Sequence, residues 1–117
     1  MEGLTINEAA QTTGWSARML RYVEQAGLVS PERTEAGYRI YGAAELQRLR
    51  TLKELLSQFD GLALSDVAFA SRLRDDVTLR NAIEQWLTET PQRPADVEPG
   101  DWLRFEQHKH ERLLQAA

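Results

Sequence analysis

The sequence has no cysteine, which excludes a disulfide framework, a thiolate metal site and a thiol redox sensor. It has only two histidines, His108 and His110, both near the end, and no glycine-rich phosphate loop. No clustered catalytic constellation is present, so the expectation is a protein that is not an enzyme and needs no cofactor. No apolar run approaches the length of a membrane span, and the N-terminus lacks the basic-then-apolar order of a signal peptide. A cytoplasmic location is expected. Net positive charge is also missing: the formal charge is -4, which argues against a polyanion binder working by bulk charge. Proline is sparse, and three of the four, Pro91, Pro94 and Pro99, fall in one stretch.

What is present suits one compact domain, or a small domain with an appendage: 117 residues, 42% hydrophobic and 27% charged. The charge is uneven. Residues 1–58 balance seven Lys/Arg against seven Asp/Glu, while residues 59–117 set seven against eleven. Contacts to a polyanion are local, so the acidic total does not exclude such contacts from the neutral N-terminal half.

Thr5-Ile6-Asn7-Glu8 has the form of a capping box opening a short helix that ends near Thr13-Gly14. Ser16 is the next N-cap, for a helix running to Ala26 and stopped by Gly27. Ser30-Pro31, Gly37 and the alternation of Tyr38-Arg39-Ile40-Tyr41 read as a hairpin with a short returning strand. A longer helix spans about Ala43 to Gln58, with Leu46, Leu49, Leu52, Leu55 and Leu56 at helical spacing. Asp60-Gly61 signals a turn, and Ser65 caps a helix carrying Val67, Ala68, Phe69 and Leu73. Asp75 or Asp76 starts a fifth, with Leu79, Ala82, Ile83, Trp86 and Leu87 in one stripe. A Pro-rich polar linker follows, and Asp101 caps a last helix from Trp102 to about Leu114.

The chemistry concentrates on Gly14–Tyr41. At 100° per residue Arg18, Arg21, Tyr22 and Gln25 form one polar face opposite Leu20 and Val23. Two guanidinium forks, a phenol and an amide are groups that bond phosphates and base edges. A solvated surface face is the commoner use of such a helix. A short capped helix and a Gly-containing turn before it shift the reading towards helix-turn-helix. In the hairpin, the strand period sends Tyr38 and Ile40 to one side and Arg39 and Tyr41 to the other. One side must pack on the helices; Ile40 is expected in the core, and Arg33, Arg39 and Tyr38 are the phosphate candidates.

Residues Leu4 to about Leu73 resemble the winged helix-turn-helix domain of the MerR family of bacterial transcription regulators. The resemblance is carried by Thr5-Ile6-Asn7-Glu8-Ala9-Ala10, Thr13-Gly14-Trp15-Ser16, Leu20-Arg21-Tyr22-Val23-Glu24, Gly27-Leu28-Val29, Arg33-Thr34, Gly37-Tyr38-Arg39-Ile40-Tyr41 and Leu46-Gln47-Arg48-Leu49-Arg50. It implies a mainly α fold, a winged helix-turn-helix with a small β-hairpin wing plus C-terminal helices. It implies sequence-specific binding to a pseudo-palindromic promoter as a homodimer, with RNA polymerase as a further partner there. Arg18, Arg21 and Tyr22 would face the groove and its rim, and Arg33, Tyr38 and Arg39 the phosphates. With the cap Ser16 and Gln25 of the same helix face, these make up the expected DNA-binding set. The chain departs from the pattern at Val23, where a second aromatic is common, and at Trp15, where a small aliphatic is usual and extra core space must be filled. The segment Phe59-Asp60-Gly61-Leu62 is longer than in the shortest family forms. The alternative is a small architectural, excisionase-like DNA-binding protein without effector sensing.

The expected division is residues 1–75 as the DNA-binding domain and 76–117 as a C-terminal helical segment, with the linker at 89–100. The Leu79–Leu87 stripe packs either on the chain's own Trp102–Leu114 helix or on a second chain. Trp86, Trp102 and Phe105 suggest core or interface before a ligand pocket. On a helix His108 and His110 lie about 200° apart, and Glu106 with His110 supplies only two ligands, too few for a metal.

Overall fold

Each early helix starts where a short polar side chain can take an orphan backbone amide, a device worth about 1 kcal/mol per helix. A computed structural model, which describes residues 2–59 and 65–116, shows these caps formed. Thr5 Oγ1 accepts from Glu8 N at 3.2 Å and Glu8 Oε1 accepts from Thr5 N at 2.9 Å, opening α1 (Ile6–Thr13). Ser16 Oγ accepts from Met19 N at 3.0 Å for α2 (Ala17–Gln25). Ser65 Oγ does the same for Ala68 N at 3.2 Å in α4 (Asp66–Asp75), and Asp76 Oδ1 for Leu79 N at 3.1 Å in α5 (Val77–Leu87). Between them lie the hairpin, β1 (Glu32–Arg33) and β2 (Arg39–Ile40), and α3 (Ala43–Leu56). A 3-10 turn at Pro99–Asp101 leads into α6 (Trp102–Ala116). The architecture is the expected one, mainly α with a small antiparallel hairpin. The Asp60-Gly61 turn and the longer segment through Leu62 lie outside the described residues.

The hairpin pairs Glu32 with Ile40 and Arg33 with Arg39. Its base is tied to the N-terminus, where Leu4 and Tyr41 exchange two backbone hydrogen bonds of 2.8 Å. Sequence periodicity does not announce this contact, because Leu4 stands alone before the first helix. Between α1 and α2, Gly14 holds φ +77, a left-handed conformation costly for any residue with a Cβ. A Cβ there would also come within 2.5 Å of Leu114 Cδ2 on α6.

The core runs from Leu4, Ala9, Trp15, Met19, Leu20 and Val23 through Leu46, Leu49 and Leu52 to Phe69, Leu79, Ile83 and Trp86. Trp15 fills core space, as its unusual size at that position requires. Helix α3 contacts α1, α5 and α6. The Leu79–Ile83–Trp86 stripe is buried within the chain against α3 and α4. The stripe does not pack on the chain's own last helix as one sequence expectation had it, since α6 packs on α3 and α1. Trp86 is fixed by its Nε1–H donating to Thr51 Oγ1 at 2.9 Å, and by the Arg48 guanidinium 3.8 Å above its ring centroid. Arg48 Nη1 also donates to the Trp86 and Glu89 carbonyls at 3.2 and 2.9 Å, closing the end of α5. The linker is held by the Gln47 amide, which donates to Gln92 O at 2.6 Å and accepts from Gln92 N at 2.8 Å. Trp86 and Phe105 border different surface depressions, of about 390 and 440 Å³, and Trp102 lines neither.

Helix α6 docks through polar groups. Glu106, fully buried, accepts from Arg50 Nε at 3.0 Å, Gln47 Nε2 at 3.2 Å and Trp102 Nε1 at 3.0 Å. His110, also fully buried, bonds through Nε2 to Leu46 O at 2.7 Å and leaves Nδ1 without a partner. Burial lowers the His110 pKa below the ordinary histidine value. The charges of Lys53 and Arg50 push the same way, while the Leu46 bond and Glu106 oppose. His108 faces outward and meets Glu111 at 3.4 Å. The two histidines therefore point apart, as their spacing requires.

Candidate nucleic-acid interface

Burial of Met19, Leu20 and Val23 fixes which side of α2 looks outward. Arg18, Arg21 and Gln25 are exposed. Tyr22 is half-buried, its ring packed edge-to-face on Phe69 with centroids 5.7 Å apart, and burial raises its phenol pKa. Ser16 is exposed and its hydroxyl is used as the cap. Arg18, with a side chain 76% exposed, donates through Nε to Asp66 Oδ2 on α4 at 2.9 Å.

The wing closes on itself through Thr34 and Gly37. Thr34 N donates to Tyr38 O at 2.8 Å, Gly37 N to Thr34 O at 2.9 Å, and Tyr38 N to Thr34 Oγ1 at 3.1 Å. Gly37 sits at φ +89, open to glycine without strain. Tyr38 at the tip is 72% exposed. Strict strand alternation would put Arg39 and Tyr41 on one side, but the strand is two residues long and the bridge to Leu4 carries Tyr41 into the core. Ile40 is half-buried, and its Cγ2 lies against Gly3.

Both wing arginines return to α2. Arg33 Nη2 donates to Glu24 Oε2 at 3.0 Å, and Arg39 Nε to Glu24 Oε1 at 2.6 Å. Arg33 Nη1 also donates to Gly37 O at 2.9 Å. Burial pushes the Glu24 carboxyl up, but the hydrogen bonds and charges of Arg39 and Arg33 outweigh it and hold the pKa below the usual carboxylate value. The Tyr41 phenol is raised, first by burial and then by the Glu24 charge; Arg39, Arg33 and Arg21 oppose, so all four charges act on one buried ring.

Three of the four arginines on α2 and the wing are thus paired with two carboxylates, Glu24 and Asp66, that sequence reading did not single out. Glu24 was visible as the acidic residue of an Arg-bearing helix, but its partners lie 9 and 15 residues away. Asp66 is 48 residues from Arg18, beyond any local pattern. The surface offers guanidinium, amide and phenol groups to an anion-edged groove.

Comparison with known proteins decides the family. The model of the MerR HTH family regulatory proteins matches residues 4–69, more than half of the chain. The chain belongs to the MerR family. Among its relatives, heavy metal-dependent transcription regulator 2 of Rhizobium meliloti is 47% identical over 51 residues, 43% of this chain and 35% of that protein. The mercuric resistance operon regulatory protein of Bacillus cereus is 38% identical over 63 residues, 53% of this chain and 46% of its own length. The transcriptional regulator GlnR of Bacillus anthracis is 33% identical over 66 residues, 56% and 50% respectively. The chain therefore spans about a third to a half of the length of these MerR-type relatives. No solved structure gives a significant match. Among the described residues no group of three His, Cys, Asp or Glu could hold a metal ion, and no helix is long and apolar enough to cross a membrane.

Proposed function

We propose that the chain is a sequence-specific double-stranded DNA-binding transcription regulator, not an enzyme. Helix α2 enters the major groove and the wing rests on flanking phosphates. The observation that carries this reading is Arg21. It is exposed on the outward face of α2 and has no hydrogen bond or ion pair among the described residues. Its neighbours are held: Arg18 by Asp66, and Arg33 and Arg39 by Glu24. Held arginines suit phosphates at fixed positions, and a free fork suits a guanine edge. The three relatives named above are regulators by name and support the same function.

Two copies occupy a pseudo-palindromic promoter site in the cytoplasm, where RNA polymerase is the further partner. With the Leu79–Trp86 stripe used inside each chain, the copies pair through other surfaces or through the DNA itself. Residues 1–75 form the DNA-binding unit, and residues 76–117 brace it through α3. The metal dependence in the relatives' names is not carried over, because this chain lacks cysteine and its described residues lack a three-ligand cluster.

Selection of binding sites from a random duplex pool tests the reading. The expected product is a motif of two inverted halves about 10–10.5 base pairs apart, bound by two chains. No enrichment would sink the DNA reading; one chain per enriched site would sink the pairing alone.

A further inference from the structure

Glu24 is the only acidic residue of α2 and stands at the flank of its outward polar face, with a side chain 19% exposed. A carboxylate there costs affinity for any duplex, so its placement needs another reason. We infer that Glu24 is a positioning residue: it fixes the angle between recognition helix and wing, and so sets how well a specific duplex is distinguished from others. The inference rests on the DNA-binding reading above.

Three features carry it. The hairpin has only two residue pairs, too few to hold its own orientation. Its base is tied by the Leu4–Tyr41 bridge, while the side-chain hydrogen bonds that tie its body to α2, among the described residues, are those that β1 and β2 each send from one arginine to the same carboxylate. Both oxygens of Glu24 are used, Oε2 by Arg33 and Oε1 by Arg39. Arg39 reaches Glu24 through Nε, and its two terminal nitrogens make no hydrogen bond among the described residues. One face of the guanidinium is spent on alignment and its fork stays available to a phosphate.

Charge alone and positioning predict opposite outcomes when Glu24 is neutralised. If Glu24 acts only by repulsion, Glu24→Gln tightens binding to every duplex and leaves the preference between duplexes unchanged. If it positions, only the specific register suffers, because only there must helix and wing dock together. The test measures affinity for a selected duplex and a scrambled one over a range of salt, for the parent, Glu24→Gln and Glu24→Asp. The expected result for Glu24→Gln is a preference reduced by about tenfold, the cost of reordering two long side chains. Aspartate keeps the charge but is one methylene short of both arginines, so it should resemble glutamine. Without DNA, trypsin should cut after Arg33 and Arg39 faster in both variants than in the parent.

An unchanged preference in Glu24→Gln, or parent-like behaviour of Glu24→Asp beside a defective Glu24→Gln, overturns the inference. If the parent discriminates and Arg21→Ala weakens binding while Glu24→Gln discriminates normally, this inference alone fails. A parent that prefers no duplex sinks the DNA reading and this inference together, whatever trypsin shows.

Discussion

Replacing Glu106 by alanine should remove about 3 kcal/mol of stability, at the lower end of the range for breaking a buried ion pair. Glu106 is fully buried and accepts from Arg50, Gln47 and Trp102. Its loss does not strand all three. Arg50 keeps Glu54 at 3.1 Å, although its side chain is only 17% exposed. Gln47 keeps its bonds to Gln92, and Trp102 is half-buried and can turn towards water. The main penalty is therefore a guanidinium left in the interior with one partner instead of two. For a chain of this size, 3 kcal/mol corresponds to roughly 12 °C in Tm. Urea denaturation followed by tryptophan fluorescence gives the value, with Glu111→Ala on the outer face of α6 as a control expected within about 0.5 kcal/mol of the parent. The double variant Arg50→Met, Glu106→Leu should be more stable than Glu106→Ala alone, since it removes the uncompensated charge. A loss below about 1 kcal/mol for Glu106→Ala, or a double variant no better than the single, would refute the assignment of Glu106 to the α3–α6 contact.

Acid should weaken the same contact through His110. Its pKa is lowered in the fold, so the unfolded chain binds more protons as pH falls below about 6.5. Stability is then fully present above that pH and declines below it, before the lowered carboxylates of Glu24, Glu8 and Asp76 begin to matter. Comparing urea midpoints at pH 7.5 and pH 5.5, His110→Leu should flatten the decline; equal declines in variant and parent would contradict this. Gly14→Ala should cost about 1–2 kcal/mol for the left-handed backbone. Leu114 is 42% exposed and can move aside, so Leu114→Ala should not rescue it; a neutral Gly14→Ala would contradict the turn geometry.

The elements that were legible in the sequence are those set by neighbours along the chain. Thr5, Ser16, Ser65 and Asp76 cap helices because each side chain needs only an amide three residues on. The outward face of α2 followed from the burial of Leu20 and Val23 opposite it. What stayed hidden depends on long-range pairing. The Leu79 stripe announced burial but not its partner, which is α3 with α4. Glu106 and His110 were weighed only as metal ligands, whereas their i, i+4 spacing places both on the buried side of α6 that packs on α3. Tyr38–Tyr41 was read as a regular strand, whereas the Leu4 bridge turns Tyr41 inward while Arg39 stays on Glu24.

The account stands most directly on Arg21. Measured by fluorescence anisotropy on a duplex enriched by the parent chain, Arg21→Ala should weaken binding by about 1–3 kcal/mol and relax the preference at one base pair of each half-site. Binding of the scrambled duplex should change far less. If Arg21→Ala binds both duplexes as the parent does, α2 is not the element that reads the groove.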